Sequence, residues 1–310
     1  MSLIENKKKF NEGALSKDEY IRLMHAHHAQ LFEYAELLKK NDIANIEITA
    51  DRVTMTARST GVRIECTPFD RRLAPIEALN FGFYEKEDSD MIYRVVEDGF
   101  NVFDVGANIG WYSIGIAKLF SKCRVYAFEP VTPTFLELKK NIELNQTMNV
   151  FPYPLGFSDR KGEATIYFDA SLRCGASLAD VTTDNTSEKI VCPLERLDEF
   201  VEREKVRPDF IKCDVEGAEW LVYKGASQTL RNHKPMIFSE MLRKWCKRFN
   251  YHPNDIIDFL SGLGYSCFTA KSGKLSRFGR MNDETLETNF FFLHQDKHQA
   301  KIISLESPSV

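Results

Sequence analysis

The chain has 310 residues, enough to bury a core of enzyme size, and its 41 Lys and Arg against 45 Asp and Glu give a formal net charge of −4. That balance supplies no basic footprint for DNA or RNA, so nucleic acid is not the expected partner. The opening "MSLIENKKKFNEG" lacks the apolar centre of a signal peptide, no later run approaches the ~18 apolar residues of a membrane span, and the 7 cysteines are scattered without a C-x-x-C pair. A soluble, cytoplasmic protein with reduced thiols is expected, with no zinc site built from them.

Residues 16–40 open with Ser16 and Glu19 in capping-box spacing, after which Tyr20, Met24, His27, Leu31, Tyr34 and Leu38 recur at steps of four and three. The spacing predicts a helix with one apolar stripe. Docking on the rest of the chain and pairing between subunits of a homo-oligomer both fit that stripe. His25 and His28 share a helical face at i, i+3, and a solvated face accounts for them without a metal. Next, "IEITADRVTMTARSTGVRIECTP" alternates: Val53, Met55 and Ala57 on one side, then Val62, Ile64 and Cys66 after a Ser-Thr-Gly turn, which predicts a β-hairpin. Residues 1–80 are thus expected to form a helix and hairpin extension. Residues 89–99 follow as a helix capped by Ser89 and stopped by Gly99.

From residue 101 onward apolar strand patterns at 101–105, 124–128, 149–155, 209–213, 235–239, 264–268 and 289–293 alternate with helical ones. This predicts a doubly wound α/β domain over residues 81–296, with ligands at the carboxyl ends of its parallel strands. Residues 163–168, a polar stretch at 171–189 and "IVCP" interrupt the alternation, as a strand pair joined by a flexible, lid-like loop on the ligand side. Residues 297–310 read as a polar, frayed tail.

Chemistry concentrates at the strand ends. In "FDVGANIG", residues 103–110, Gly106 and Gly110 permit a sharp strand-to-helix turn and close approach of a ligand, with free N–H groups at the helix start. A dinucleotide site would want G-x-G-x-x-G; the central glycine is missing here, so a smaller ligand is expected. Glu129 ends the second strand about 20 residues on, where a doubly wound fold places an acid that holds ribose hydroxyls, and it implies a nucleoside. After the third strand, Phe157, Ser158 and Asp159 could stack on and hydrogen-bond an adenine, although "SDRKG" is also an ordinary turn. The fourth strand, "PDFIKCDVEGAEW", places Lys212, Asp214 and Glu216 at the mouth of an apolar sheet, and Glu240 ends the fifth. Charges there are costly unless paired or used. Lys212 and Asp214 share a face by period two, so an ion pair competes with catalysis for Lys212.

"VFDVGANIGWYS", "FEP" and "DFIKCDVEGAEWLVYKGA", in that order and spacing, resemble the FkbM family of S-adenosylmethionine-dependent methyltransferases, over about residues 80–270. "FGFYEKEDSDMIYRVVEDG" resembles the segment leading into that family's first motif, and Cys213 stands where an aliphatic residue is more usual. The resemblance implies a class I methyltransferase fold, Rossmann-like, with a seven-stranded sheet whose last strand, "NFFFLH", runs antiparallel. It also implies S-adenosylmethionine at the first glycine turn, held by Asp104, Gly106, Asn108, Gly110, Glu129, Phe157, Ser158, Asp159 and Asp214. Methyl transfer to a hydroxyl oxygen of a sugar, in a surface-polysaccharide or natural-product pathway, is the implied activity, with a small-molecule or glycan acceptor. Asp214 is then expected at the cofactor's methionine end or the acceptor, with Glu216 or Glu240 as base, and Lys212 as a less favoured base because it would have to be neutral. A divalent metal on Asp214, Glu216 or Glu240 is an alternative route to the same end, and no metal is favoured. Arg243, Lys244, Lys247 and Arg248, beside Trp245 and Tyr251, fit a solvated helix face better than a site for a phosphorylated sugar. A nicotinamide-dependent oxidoreductase and a non-catalytic nucleoside-binding protein are the competing classes; the absent glycine counts against the first and the clustered acids against the second.

Overall fold

The computed structural model describes residues 2–168 and 188–307. The chain begins with α1 (Leu3–Asn11) and α2 (Lys17–Leu37), each opened by a reciprocal capping box, Ser2 with Glu5 and Ser16 with Glu19. Phe10 stacks on Tyr20 at 4.3 Å and the Asn6 amide meets the His27 ring at 3.3 Å, so part of the α2 stripe is covered by α1. No residue of α2 is buried, and Leu31, Phe32 and Tyr34 stand exposed. The stripe's C-terminal end does reach the body, where Leu38 packs against the Ile43, Met55, Ala78 and Leu79 cluster, while among the described residues the rest of it is covered only in part. The expected hairpin is present as β2 (Val53–Ala57) and β3 (Arg63–Cys66), preceded by β1 (Ile43–Ile48) in a three-stranded antiparallel sheet.

Two helices lead into the main domain, α3 (Ala74–Phe81) and α4 (Lys86–Val95). The sequence placed the second helix at 89–99 with Ser89 as its cap. Instead Glu85 occupies the cap position in a left-handed conformation, and Ser89 is buried one turn inside, its hydroxyl donating to the Lys86 carbonyl at 3.2 Å. A mid-helix serine satisfied by a carbonyl on the preceding turn looks like a cap in sequence and is not one.

The central sheet alternates with helices: β4 (Asn101–Val105), α5 (Trp111–Leu119), β5 (Arg124–Phe128), α6 (Thr132–Asn145) and β6 (Val150–Tyr153). A second small sheet follows, of β7 (Gly156–Phe157), β8 (Gly162–Phe168) and β9 (Glu188–Glu195), the last two antiparallel as expected for the inserted strand pair. The lid-like loop expected at 171–189 lies outside the described residues except for its last two positions, which begin β9. Then come α7 (Leu197–Glu204), β10 (Phe210–Cys213), α8 (Glu219–Gly225), α9 (Ser227–His233), β11 (Met236–Glu240), α10 (Arg243–Cys246), α11 (Pro253–Gly262), β12 (Tyr265–Lys271), β13 (Lys274–Arg277), β14 (Asn289–His294) and α12 (Gln299–Leu305). The main sheet has the order β13-β12-β14-β11-β10-β4-β5-β6. Strands β4, β5, β6, β10 and β11 run parallel and β14 is antiparallel to both its neighbours.

This is the expected doubly wound sheet with a reversed "NFFFLH" strand, but with eight strands rather than seven. The extra one is β13, added where Ser272 and Gly273 turn the chain with φ of 50° and 70°. The tail also differs from expectation: α12 buries Ile302 and Leu305, and it is not frayed over residues 299–305. Seven residues make only two turns, too short a stretch for a helical period to announce itself.

Side chains alternate across the sheet. Val102, Val125, Phe210, Met236, Phe238 and Phe291 pack with α4, α5, α6 and α12 on one face, while Phe103, Phe128, Ile211, Ile237 and Phe292 pack with α7, α8, α9 and α11 on the other. Asp104 and Lys212 interrupt the first face, opposite one another in the β4–β10 register. The strand order turns back between these two strands, which is where open α/β sheets leave a crevice beyond their carboxyl ends.

Candidate active site

Lys212 ties that crevice together. Its Nζ lies 3.2 Å from Asp104 Oδ1 and 3.4 Å from Asp214 Oδ2, and donates to the Gly106 carbonyl at 3.1 Å. Asp104 also accepts from the Ser113 hydroxyl at 2.6 Å. Desolvation alone would drive the ammonium to lose its proton, but Asp104 and Asp214 outweigh it and raise the pKa. Lys212 therefore stays charged. Of the two roles the sequence left open for it, ion pair and base, this geometry favours the first: it is a buried clamp between the first and fourth strand ends.

Gly106 and Gly110 adopt φ of 80° and 94°, and Asn108 between them 49°. A Cβ on Gly106 would lie 1.8 Å from the Asp214 carbonyl, and one on Gly110 2.7 Å from Leu138 Cδ1. The close approach expected of a ligand is made here by the chain itself: Gly106 lets the β4 turn touch the β10 loop, and Gly110 seats α5 against α6. Glu129 accepts from the backbone N–H of Asn108 at 3.0 Å and of Val131 at 2.9 Å, so it braces the glycine turn from the next strand. Burial pushes its carboxyl up to about 7. The Asn108 side-chain oxygen beside it is buried without a hydrogen-bond partner. An acid and an unanswered acceptor beside one left-handed turn fit the hydroxyl donors of a ribose.

At the third strand the arrangement departs from expectation. Phe157 is buried among Phe128 at 4.6 Å and Phe200 at 5.7 Å, committed to the core rather than open to an adenine face. Its strand pairs with β9, which draws the ring inward. Ser158 is buried, its carbonyl so near Gly225 that a Cβ there would lie 2.0 Å away, while Asp159 is half-exposed and pairs with Lys224 at 3.2 Å.

The fourth and fifth strand ends bring the carboxylates together. Ser239 pairs with Cys213, so Glu240 at the end of β11 and Asp214, the residue after β10, are next-door positions. Glu219 folds the intervening loop: one oxygen accepts from the N–H groups of Val215 at 3.0 Å and Gly217 at 3.1 Å, the other from the Tyr251 hydroxyl at 3.1 Å. Glu216 is held at φ 54°, a conformation that costs a non-glycine residue energy and collects at functional sites. Burial, then Asp214 and Glu219, push the Glu216 carboxyl up to about 8. Burial and then Asp214, Glu216 and Glu85 raise Glu240 well above the usual carboxylate range.

Glu85, which sequence reasoning did not single out, completes the group. It sits at φ 42°, accepts from the Tyr112 hydroxyl at 2.5 Å, and is raised by burial and by Asp214. Tyr112 in turn has the Lys212 ammonium 5.5 Å from its ring centre. Its place at a left-handed cap shows only in the fold, and in the sequence the apparent Ser89 cap concealed that the helix starts earlier. Among the described residues no three His, Cys, Asp or Glu side chains converge as a metal-ion site. In the basic segment Arg243 donates to the Thr285 carbonyl, while Lys244 and Arg248 lie over the Trp245 ring at 5.0 and 4.1 Å. A cavity of about 430 Å³ lined by Arg196, Asp198, Arg207 and His233 lies at the amino ends of β10 and β11, opposite the acids, and is no part of this site.

A doubly wound sheet with an acid-lined crevice at its switch point defines a ligand-binding α/β fold. Residues 104–267 match the methyltransferase FkbM domain, and the chain belongs to that family. It is similar to the hexuronic acid methyltransferase AglP of Haloferax volcanii, 30% identical over 149 residues, covering 48% of this chain and 59% of that protein. It is also similar to Methyltransferase 1 of Beauveria bassiana, 25% identical over 173 residues, covering 49% of this chain and 69% of that one. The crystal structure of an FkbM methyltransferase from Methylobacillus flagellatus KT aligns with a TM-score of 0.40 at 17% identity, over 69% of this chain and 52% of that one.

Proposed function

We propose that the protein transfers a methyl group from S-adenosylmethionine to a hydroxyl oxygen of a sugar, with residues 81–296 as the catalytic domain. The observation that carries this reading is the juxtaposition, in an FkbM-family chain, of a Glu129-braced glycine turn with the carboxylates of Asp214, Glu216 and Glu240. The cofactor, when bound, supplies an electrophilic methyl carbon on a sulfonium. Glu129 and Asn108 hold the ribose, and Ser158 and Asp159 border the adenine end. Asp214, half-buried and clamped by Lys212, meets the methionine end or the acceptor. An alcohol is a weak nucleophile at neutral pH, so catalysis consists of holding the hydroxyl in line with the methyl carbon while a carboxylate, Glu216 or Glu240, accepts its proton. The name of the archaeal relative, a hexuronic acid methyltransferase, supports a sugar acceptor.

Calorimetric titration with S-adenosylhomocysteine, with NAD as control, tests the cofactor. Labelled methyl transfer to a panel of monosaccharides and uronic acids tests the acceptor. Saturable binding of the first ligand alone, with label in an alkali-stable ether, is expected. Binding of NAD instead would restore the oxidoreductase reading, and binding of neither would make the glycine turn purely structural.

A further inference from the structure

We propose that Glu240 is the proton-accepting carboxylate, and that it keeps its own proton until a cationic methyl donor is seated beside it. The inference rests on the methyltransferase reading above and names which acid acts, and when. Its basis is the arrangement around Glu240. The β10–β11 register sets Asp214 beside it, with Glu216 two residues further along the same loop, and these two acids and Glu85, which caps α4, act on it as negative charges. Its register partner on β14 is Asn289, whose amide is turned to Asp88 of α4 at 2.8 Å. The neighbouring cation, Lys212, is already shared between Asp104 and Asp214. Tyr112 of α5, between Lys212 and Glu85, offers its hydroxyl to Glu85. Glu240 thus shares a half-buried strand-end site with other acids while the nearby cation is already paired, and like charges grouped in such a site do not all ionise together. The raised titration of Glu240 agrees with this geometry. Glu216 is the less suited acid, since Lys244 and Arg72 both favour its ionised form and it rides on a loop rather than a paired strand.

A positive charge placed within a few ångströms of such a carboxyl draws its proton off. Glu240 is then a carboxylate only when a sulfonium is present. In the transfer the acceptor O–H bond breaks as the O–CH3 bond forms, the S–CH3 bond breaks with its electron pair left on sulfur, and the hydroxyl proton passes to Glu240. With sulfur now neutral, Glu240 retains that proton until the next donor binds. The proton shed at each donor binding is the one that the overall reaction produces, so the balance closes without a further reactant.

Titration calorimetry of the full chain near neutral pH, in two buffers of different ionisation enthalpy, counts these protons without any turnover. S-adenosylmethionine is expected to release about one proton more than S-adenosylhomocysteine. Sinefungin, which carries an ammonium in place of the sulfonium, is expected to behave as the former. Glu240→Gln should remove the difference while leaving binding of all three. Equal proton counts for the three ligands on the wild-type chain would overturn this inference alone, whatever the variant does. An unchanged difference in a folded Glu240→Gln would overturn the choice of Glu240. Failure of all three to bind would overturn the cofactor assignment and this inference with it.

Discussion

Asp214 and Lys212 share an ion pair but differ in burial, and their substitutions should differ accordingly. Asp214 is 32% exposed, and its loss leaves Lys212 paired with Asp104. Asp214→Asn is therefore expected to lower kcat by about 10²-fold with little change in the urea midpoint. Lys212→Met leaves Asp104, 1% exposed, without its cation. Breaking one partner from a buried pair costs about 3–5 kcal/mol, so this variant should fail first in the unfolding measurement. Equal midpoints for the two would remove the clamp role. Glu216 carries a pH signature. Its carboxyl titrates at about 8 in the folded chain against an ordinary 4.5, so between those values the unfolded chain sheds a proton that the folded chain keeps. Stability should fall as pH rises across that window, and Glu216→Gln should flatten the fall in denaturant titrations at several pH values. At this scale much was legible: Asp104, Glu129, Asp214 and Glu240 stand at strand ends or one residue past them, with Glu216 on the loop that follows β10, because apolar runs announce where a strand stops. Glu85 and the inward turn of Phe157 were not, since each depends on a distant segment, α5 for the first and β9 for the second.

Between elements, the glycine turn acts as a joint. Gly106 brings the end of β4 against the loop after β10 with no room for a methyl group, and with positive φ. Gly106→Ala should destabilise by about 1–3 kcal/mol or more, through overpacking and backbone strain together. Gly162→Ala, at a position with open space, should not, and thermal melts of the pair check this. All seven strand patterns from residue 101 onward found their strands within a few residues, because period-two burial on a two-faced sheet leaves strong marks. Several short elements escaped notice, among them β1, α3, α12, β13 and α1. For β13, four residues with Lys and Arg at its ends, the Ser272-Gly273 turn was the available cue. For α1 it was the Ser2–Glu5 capping box. Sequence spacing did find the α2 stripe, but periodicity reports a face and not what covers it.

For the molecule as a whole, the addition of β13 moves the rim of the sheet. One rim is now a four-residue strand whose Leu275 bridges Glu306 and accepts a backbone hydrogen bond from Ser307, while Arg277 pairs with Glu306. The opposite rim, β6, carries Pro152, which has no N–H to offer. Exposed strand borders are templates on which other chains polymerise. Here one is plugged by the chain's own distal segment and the other is chemically blunted, so removing the residues beyond His298 should turn a well-behaved solution turbid on mild heating. Light scattering of the shortened chain beside the full one would register it, and equal clarity would mean that β13 alone is too short to recruit a neighbour.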